Sequence, residues 1–247
     1  MTHAIHIQDL SFSWRKGTPA LLDFPQLRIQ RGESVFINGG SGTGKSTLLS
    51  LIAGVLSPQQ GEITVLGQRL NDLSAAQRDA FRGDHIGFIF QMFNLIPYLS
   101  VIDNVLLPCR FSKRRKDTIE ATGKTLKEEA VRLLAHLGLN TEILQRPVIE
   151  LSVGQQQRVA AARALLGSPE LIIADEPTSA LDTDLRAIFL QLLLKECAEQ
   201  GTTLIFVSHD QALESQFDRG LQLADINRAG HSKQQQPVTK ETCDAHP

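Results

Sequence analysis

The stretch Gly39, Gly40, Ser41, Gly42, Thr43, Gly44, Lys45, Ser46 and Thr47 matches G-x-x-x-x-G-K-[ST] and stands between an apolar run and a helical pattern. Glycines at this spacing let consecutive backbone N–H groups curl around phosphate oxygens where a Cβ would obstruct them. Lys45 adds a point charge for the β and γ phosphates of a nucleotide such as ATP, and the following helix adds its dipole. The Ser46 hydroxyl is suited to ligate Mg²⁺. A second cluster, Leu171-Ile-Ile-Ala-Asp-Glu-Pro177, ends an apolar strand in two carboxylates. Asp175 stands where a second Mg²⁺ contact is expected, and Glu176 can orient and deprotonate a water in line with the γ phosphate.

Between these two clusters lies Leu151-Ser-Val-Gly-Gln155, followed by Gln156-Gln-Arg158. Ser152 with Gln155 three residues on is an S-x-x-Q capping box for the next helix, and a helix N-terminus is itself an anion site. Val153 brings a β-branched side chain, so its φ is expected to be negative.

The elements that must position these groups follow from periodicity. Ile5, Ile7 and Leu10 alternate with polar residues, as a half-buried strand does. Leu27–Ile29 and Ser34–Ile37 read as two strands joined tightly across Arg31-Gly-Glu33. The phosphate loop leads into a helix over Lys45–Ala53 that Gly54 stops. Glu62–Leu66 is a strand, Ser74 with Gln77 caps a short helix, and Ile86–Phe90 is a buried strand ending at Gln91. From Val101 to Leu144 the pattern is helical, with Leu126, Ala130, Leu133, Leu134 and Leu137 on one face and Gly138 as its stop. Strand–helix alternation then returns: Leu171–Ala174, helix Thr183–Gln200, strand Thr203–Val207, and a helix from Gln211. This predicts an α/β fold with a mostly parallel sheet and crossover helices, into which the helical segment of about residues 92–165 is inserted as a subdomain. Residues 1–230 form the domain, and the Gln-rich 231–247 read as a disordered tail.

Bulk properties narrow the class. A chain of 247 residues, 42% hydrophobic and 21% charged, is an ordinary globular composition. A net charge of −2 argues against nucleic acid as the main partner. Cys109, Cys197 and Cys243 have no metal-ligand spacing and read as reduced thiols. There is no run of eighteen apolar residues, and the N-terminus lacks the pattern of a secretory signal. Lys113-Arg-Arg-Lys116 reads as a solvated basic loop, with contact to anionic headgroups as the sharper alternative.

Taken together, the phosphate loop, L-S-x-G-Q and the Asp175-Glu176 strand resemble the ATP-binding subunits of ABC transporters over nearly all of Ile5–Asp225. The resemblance implies a P-loop NTPase core of ABC ATPase type with an antiparallel β subdomain. It implies that Gln91 contacts Mg²⁺ and the attacking water beside the coupling site for a membrane partner, and that His209 contacts the γ phosphate. Trp14 falls where the family stacks an aromatic residue on adenine. Ser179-Ala-Leu-Asp182 matches the segment that crosses a dimer interface. Ser152 and Gly154, with Gln155, would meet the γ phosphate held by a second, head-to-tail copy of the chain. The stretch Phe90–Val105 is most similar to the lipoprotein-releasing and macrolide-exporting group. That group implies a permease of few helices with a large periplasmic domain, and a peripheral place on the cytoplasmic side of the inner membrane. The alternatives are a soluble ABC ATPase of nucleic-acid metabolism, the ATPase of an importer, and a P-loop kinase for a small molecule. The last leaves L-S-x-G-Q and His209 unexplained.

Overall fold

The computed structural model describes residues 3–15 and 17–229, with the side chain of Asp184 left aside. The polar segment 231–247 lies outside the described residues. In chain order the elements are β1 (His3–Phe12), β2 (Leu22–Gln30), β3 (Ser34–Asn38), α1 (Lys45–Ile52), β4 (Gln60–Val65), β5 (Gln68–Arg69), α2 (Ala75–His85), β6 (Ile86–Ile89), α3 (Val101–Phe111), α4 (Lys113–Glu120), α5 (Leu126–His136), α6 (Val153–Leu165), β7 (Leu171–Asp175), α7 (Thr183–Gln200), β8 (Thr203–Val207), β9 (Arg219–Gln222) and α8 (Leu223–Ile226).

Two sheets result. An antiparallel sheet has the order β2-β1-β4-β5, and a five-stranded parallel sheet has the order β6-β7-β8-β3-β9. The two strands flanking Arg31-Gly-Glu33 therefore do not pair. β2 joins the antiparallel sheet and β3 the parallel one, so the turn is a crossing between layers rather than a hairpin.

The central parallel strands β3, β7 and β8 are apolar on both faces, as a sheet covered on both sides requires. In β3, Val35 and Ile37 face the core formed with α1 and the antiparallel sheet, while Phe36 faces the core of the large helices. β7 and β8 repeat the alternation, with Ile173 and Ile205 on the first side and Ile172 and Phe206 on the second. The second core runs without interruption into the helical segment through Val101, Val105, Leu133, Leu134, Val159 and Ala162.

Both expected capping boxes at Ser74 and Ser152 form, and a third starts α5 at Thr125 with Glu128. Two expectations are corrected. The segment from Gln211 is a short 3₁₀ stretch, Gln211–Gln216, because the chain must return at once to edge strand β9. The basic run is no solvated loop. Lys113–Glu120 is helical, and Arg115 is buried, its guanidinium donating to the carbonyls of Gly83, Ile86, Ala164 and Leu166. Burial lowers its pKa to about 10. Lys113 and Lys116 stay on the surface, paired with Asp117 and Glu120.

Candidate functional site

In a parallel sheet all strand carboxyl ends lie along one edge, and ligands bind there. β3 runs into the glycine loop, β6 into Gln91, β7 ends at Asp175, and β8 leads to His209. Sheet order thus brings together groups far apart in sequence. Trp14, Leu21, Ser41, Gly42, Gly44, Lys45, Ser46, Thr47, Gln91, Asp175, Glu176 and His209 line one cavity of about 670 Å³, within the range of small-molecule sites.

The loop enters α1 through Gly44, whose φ is +100°; a Cβ there would also stand 2.6 Å from Leu22 Cδ2. No side chain caps α1, so its first N–H groups remain directed at the cavity. Lys45 is nearly buried and donates from Nζ to the carbonyls of Gly39 at 2.7 Å and Gly40 at 3.1 Å. It faces Glu176 Oε1 at 3.8 Å. Glu176 sits at φ +46°, an uncommon backbone state for a residue with a Cβ, and its N–H extends the ladder to Val207 at 2.9 Å. His209 Nδ1 is 3.5 Å from Glu176 Oε2.

Burial pushes the Asp175 carboxyl up from its ordinary range, against a hydrogen bond from Ser46 and with the adjacent Glu176 charge adding to the rise. Such a site favours a cation. The oxygen donors of Ser46, Asp175 and Gln91 in the cavity lining suit a hard divalent ion such as Mg²⁺. Trp14 is 66% exposed, held edge-on against Phe12 with ring centroids 5.4 Å apart, so one indole face is open to the cavity mouth.

Not every expected residue lines this cavity. Gly39, Gly40 and Thr43 shape the loop, with Thr43 Oγ1 donating to the Gly40 carbonyl. Ser152, Gly154, Gln155 and Asp182 stand apart from it. Ser152 N-caps α6 and Asp182 N-caps α7 by accepting from Leu185 N at 2.9 Å. Val153 is the first helical residue of α6, outside the positive-φ set, as its side chain demands.

Three further residues hold the site and carry no motif signal. Arg163, on α6, donates to the carbonyls of Phe93 and Asn94, both at 2.6 Å, and fixes the loop after Gln91 where both residues have positive φ. Gln157 donates to Pro177 O at 2.6 Å. Arg186 bridges the Leu181 carbonyl and the carboxylate of Asp210, next to His209. Leu21, which lines the cavity beside Trp14, gave no signal beyond being apolar.

A phosphate-cradling loop at the carboxyl edge of a parallel sheet, with carboxylates on the neighbouring strand, defines a P-loop nucleotide-binding protein. The family described as ABC transporter matches residues 22–179. The uncharacterized ABC transporter ATP-binding protein YbbA of Escherichia coli (strain K12) is 40% identical over 204 residues, 83% of this chain and 86% of the relative. The lipoprotein-releasing system ATP-binding protein LolD of Xanthomonas euvesicatoria pv. vesicatoria (strain 85-10) is 38% identical over 225 residues, 90% of this chain and 88% of the relative. The dimeric cassette MJ0796 in a post-hydrolysis state with ADP and Pi superposes with a TM-score of 0.76 at 34% identity, covering 91% of this chain and 95% of that one. The chain belongs to the ABC transporter family, as an ATP-hydrolysing cassette of the LolD/MacB group.

Proposed function

We propose that this chain powers a separate membrane permease by hydrolysing ATP between two copies of itself. The observation that carries the reading is the convergence of Lys45, Ser46, Asp175, Glu176 and His209 on one cavity while Ser152 and Gly154 stand exposed or half-exposed away from it. A helix N-terminus that cannot reach its own nucleotide is suited to completing another copy's site. MJ0796, its structural neighbour, is dimeric with ADP and Pi.

In this reading the glycine loop and Lys45 hold the β and γ phosphates, and Trp14 stacks on the adenine. The oxygens of Ser46, Asp175 and Gln91 would hold Mg²⁺, which would supply charge neutralisation to the phosphates. Glu176 Oε accepts the proton of the attacking water, Gln91 and His209 orient that water and the γ phosphate, and Ser152, Gly154 and Gln155 close the opposite side. Asp182 sets the start of α7 at the subunit boundary.

The permease would dock beside Gln91. There Phe90, Met92, Tyr98 and Phe111 expose apolar surface, with Met92, Tyr98 and Phe111 each more than 80% exposed. Among the described residues no helix is long and apolar enough to cross a membrane. Membership of the ABC transporter family supports a peripheral place on the cytoplasmic face, beside the permease. LolD is named for lipoprotein release. By analogy the transported substrate is a lipoprotein, peptide or hydrophobic compound moved outward.

The test is affinity capture of the tagged Glu176→Gln chain from solubilised membranes with ATP present. Recovery of a protein with four membrane spans and a large extracytoplasmic domain supports the reading. Recovery of a six-span pore protein with a solute-binding protein assigns the chain to import, and recovery of nucleic acid instead of a membrane protein overturns the reading.

A further inference from the structure

Gln157 is fully buried on α6, five residues after Ser152, about 7.5 Å along the helix axis. Its Nε2 donates to the Pro177 carbonyl at 2.6 Å, while its Oε1 has no hydrogen-bond partner among the described residues. Pro177 follows Glu176 in a turn closed by Ser179 N to Glu176 O and Leu181 N to Thr178 O, both 3.2 Å. Arg186 continues the line from the Leu181 carbonyl to Asp210, beside His209.

We infer that Gln157 is a positioning residue. It makes the placement of Glu176 in a subunit's own site depend on whether that subunit's Ser152 end of α6 has engaged the partner's nucleotide. The inference rests on the ATP-bridged dimer proposed above and adds the route by which the two sites sense each other. A helix is stiff along its axis, and Gln157 is fully buried in a close-packed interior that resists a local shift of α6. Movement at Ser152 therefore passes to the Pro177 carbonyl and to the turn that holds Glu176 at φ +46°. An orphaned buried acceptor is uncommon and costly, so Gln157 Oε1 favours any rearrangement that brings it a donor. The hydroxyl of Thr178, the next residue in the turn and itself buried, is of the right kind. Gln157 thus has one bond made and one acceptor open, which leaves a second arrangement available to it.

The 247-residue chain tests this. The parent should form an ATP-dependent dimer and hydrolyse ATP with a Hill coefficient of about 2. A parent that stays monomeric or non-cooperative with ATP overturns the dimer reading and this inference with it. In Gln157→Met, which keeps size and removes the amide, the Hill coefficient should fall to about 1 and kcat by on the order of tenfold to a hundredfold. ATP affinity and the unfolding midpoint should stay near the parent's. A variant with the parent's kcat and Hill coefficient overturns the inference, as does one whose ATP affinity falls in step with kcat. Should Gln157→Met fail to fold, isotope-labelled mixed dimers decide. With Glu176→Gln in both chains and Ser152→Ala in one, ATP-induced protection of the Ser179 and Leu181 amides should be lost in the Ser152→Ala chain. Loss confined to its partner, or equal in both, overturns the inference.

Discussion

Glu176 stands between Lys45 and His209. One carboxylate oxygen is 3.8 Å from the Lys45 ammonium and the other 3.5 Å from His209 Nδ1. In the proposed mechanism, an acceptor held between this ammonium and an imidazole is placed at the boundary where a water and a γ phosphate would meet. Glu176→Gln keeps the shape and removes the base. Steady-state ATPase assays should show kcat lower by about 10²–10⁴-fold, with ATP binding by equilibrium dialysis close to the parent's. Hydrolysis at the parental rate would remove Glu176 from the role.

The Asp175 carboxylate, raised by burial, gains most from a cation. Chelating Mg²⁺ with EDTA should abolish turnover, and added Mg²⁺ should restore it. Asp175→Asn should raise the Mg²⁺ concentration for half-maximal rate by about tenfold or more, the effect of losing one charged ligand. A Mg²⁺ titration of the rate measures both.

Val153 occupies a helical position with its side chain about half exposed. Nothing there needs positive φ, so a glycine at this position would have no geometric advantage. Val153→Gly should leave kcat within about twofold of the parent, the change being confined to a small entropic loss at the first turn. A kinetic change beyond tenfold would assign Val153 a role at the dimer boundary.

Gly87 on β6 lies against α6. A Cβ there would stand 2.3 Å from the Ala164 carbonyl oxygen and 2.4 Å from Ile172 Cδ1. Gly87→Ala must push the strand that delivers Gln91 away from the helix. Calorimetry should show destabilisation of about 1–3 kcal/mol, a fall in Tm of about 2–10 °C.

Glu170 joins α2 and α4 to the start of β7, bonded to His85 Nδ1 at 3.1 Å and paired with Arg114. Burial pushes its carboxyl up, but the His85 hydrogen bond and the nearby positive charges outweigh it and hold the pKa at about 2. The folded pKa lies below the ordinary 4.5, so the unfolded chain takes up the proton first. The stabilisation is complete above about pH 4.5 and is lost as pH falls towards about 2. Urea midpoints between about pH 5 and pH 3 should fall in the parent and decline less in Glu170→Gln.

The phosphate loop, the Asp175 strand and the capping box at Ser152 were legible in the sequence because each depends on neighbours within a few residues. What was not legible depends on distant ones. Arg115 looks like any member of a basic run until four carbonyls from α2, β6 and the end of α6 are seen to converge on it. Gln157 is one of three consecutive glutamines, and only the packing of α6 on the Pro177 turn sets it apart. The separation of β2 from β3 was hidden for the same reason. A tight turn between two strands looks alike whether they pair with each other or enter different sheets.

The chain has a single tryptophan and a single tyrosine. Trp14 is at the cavity mouth, and Tyr98, 83% exposed, is on the face proposed for the permease. Each functional surface therefore has its own intrinsic chromophore. Under the proposed function, indole emission of the isolated subunit would report nucleotide stacking with no second indole to mask it, and the one phenol would mark the docking face.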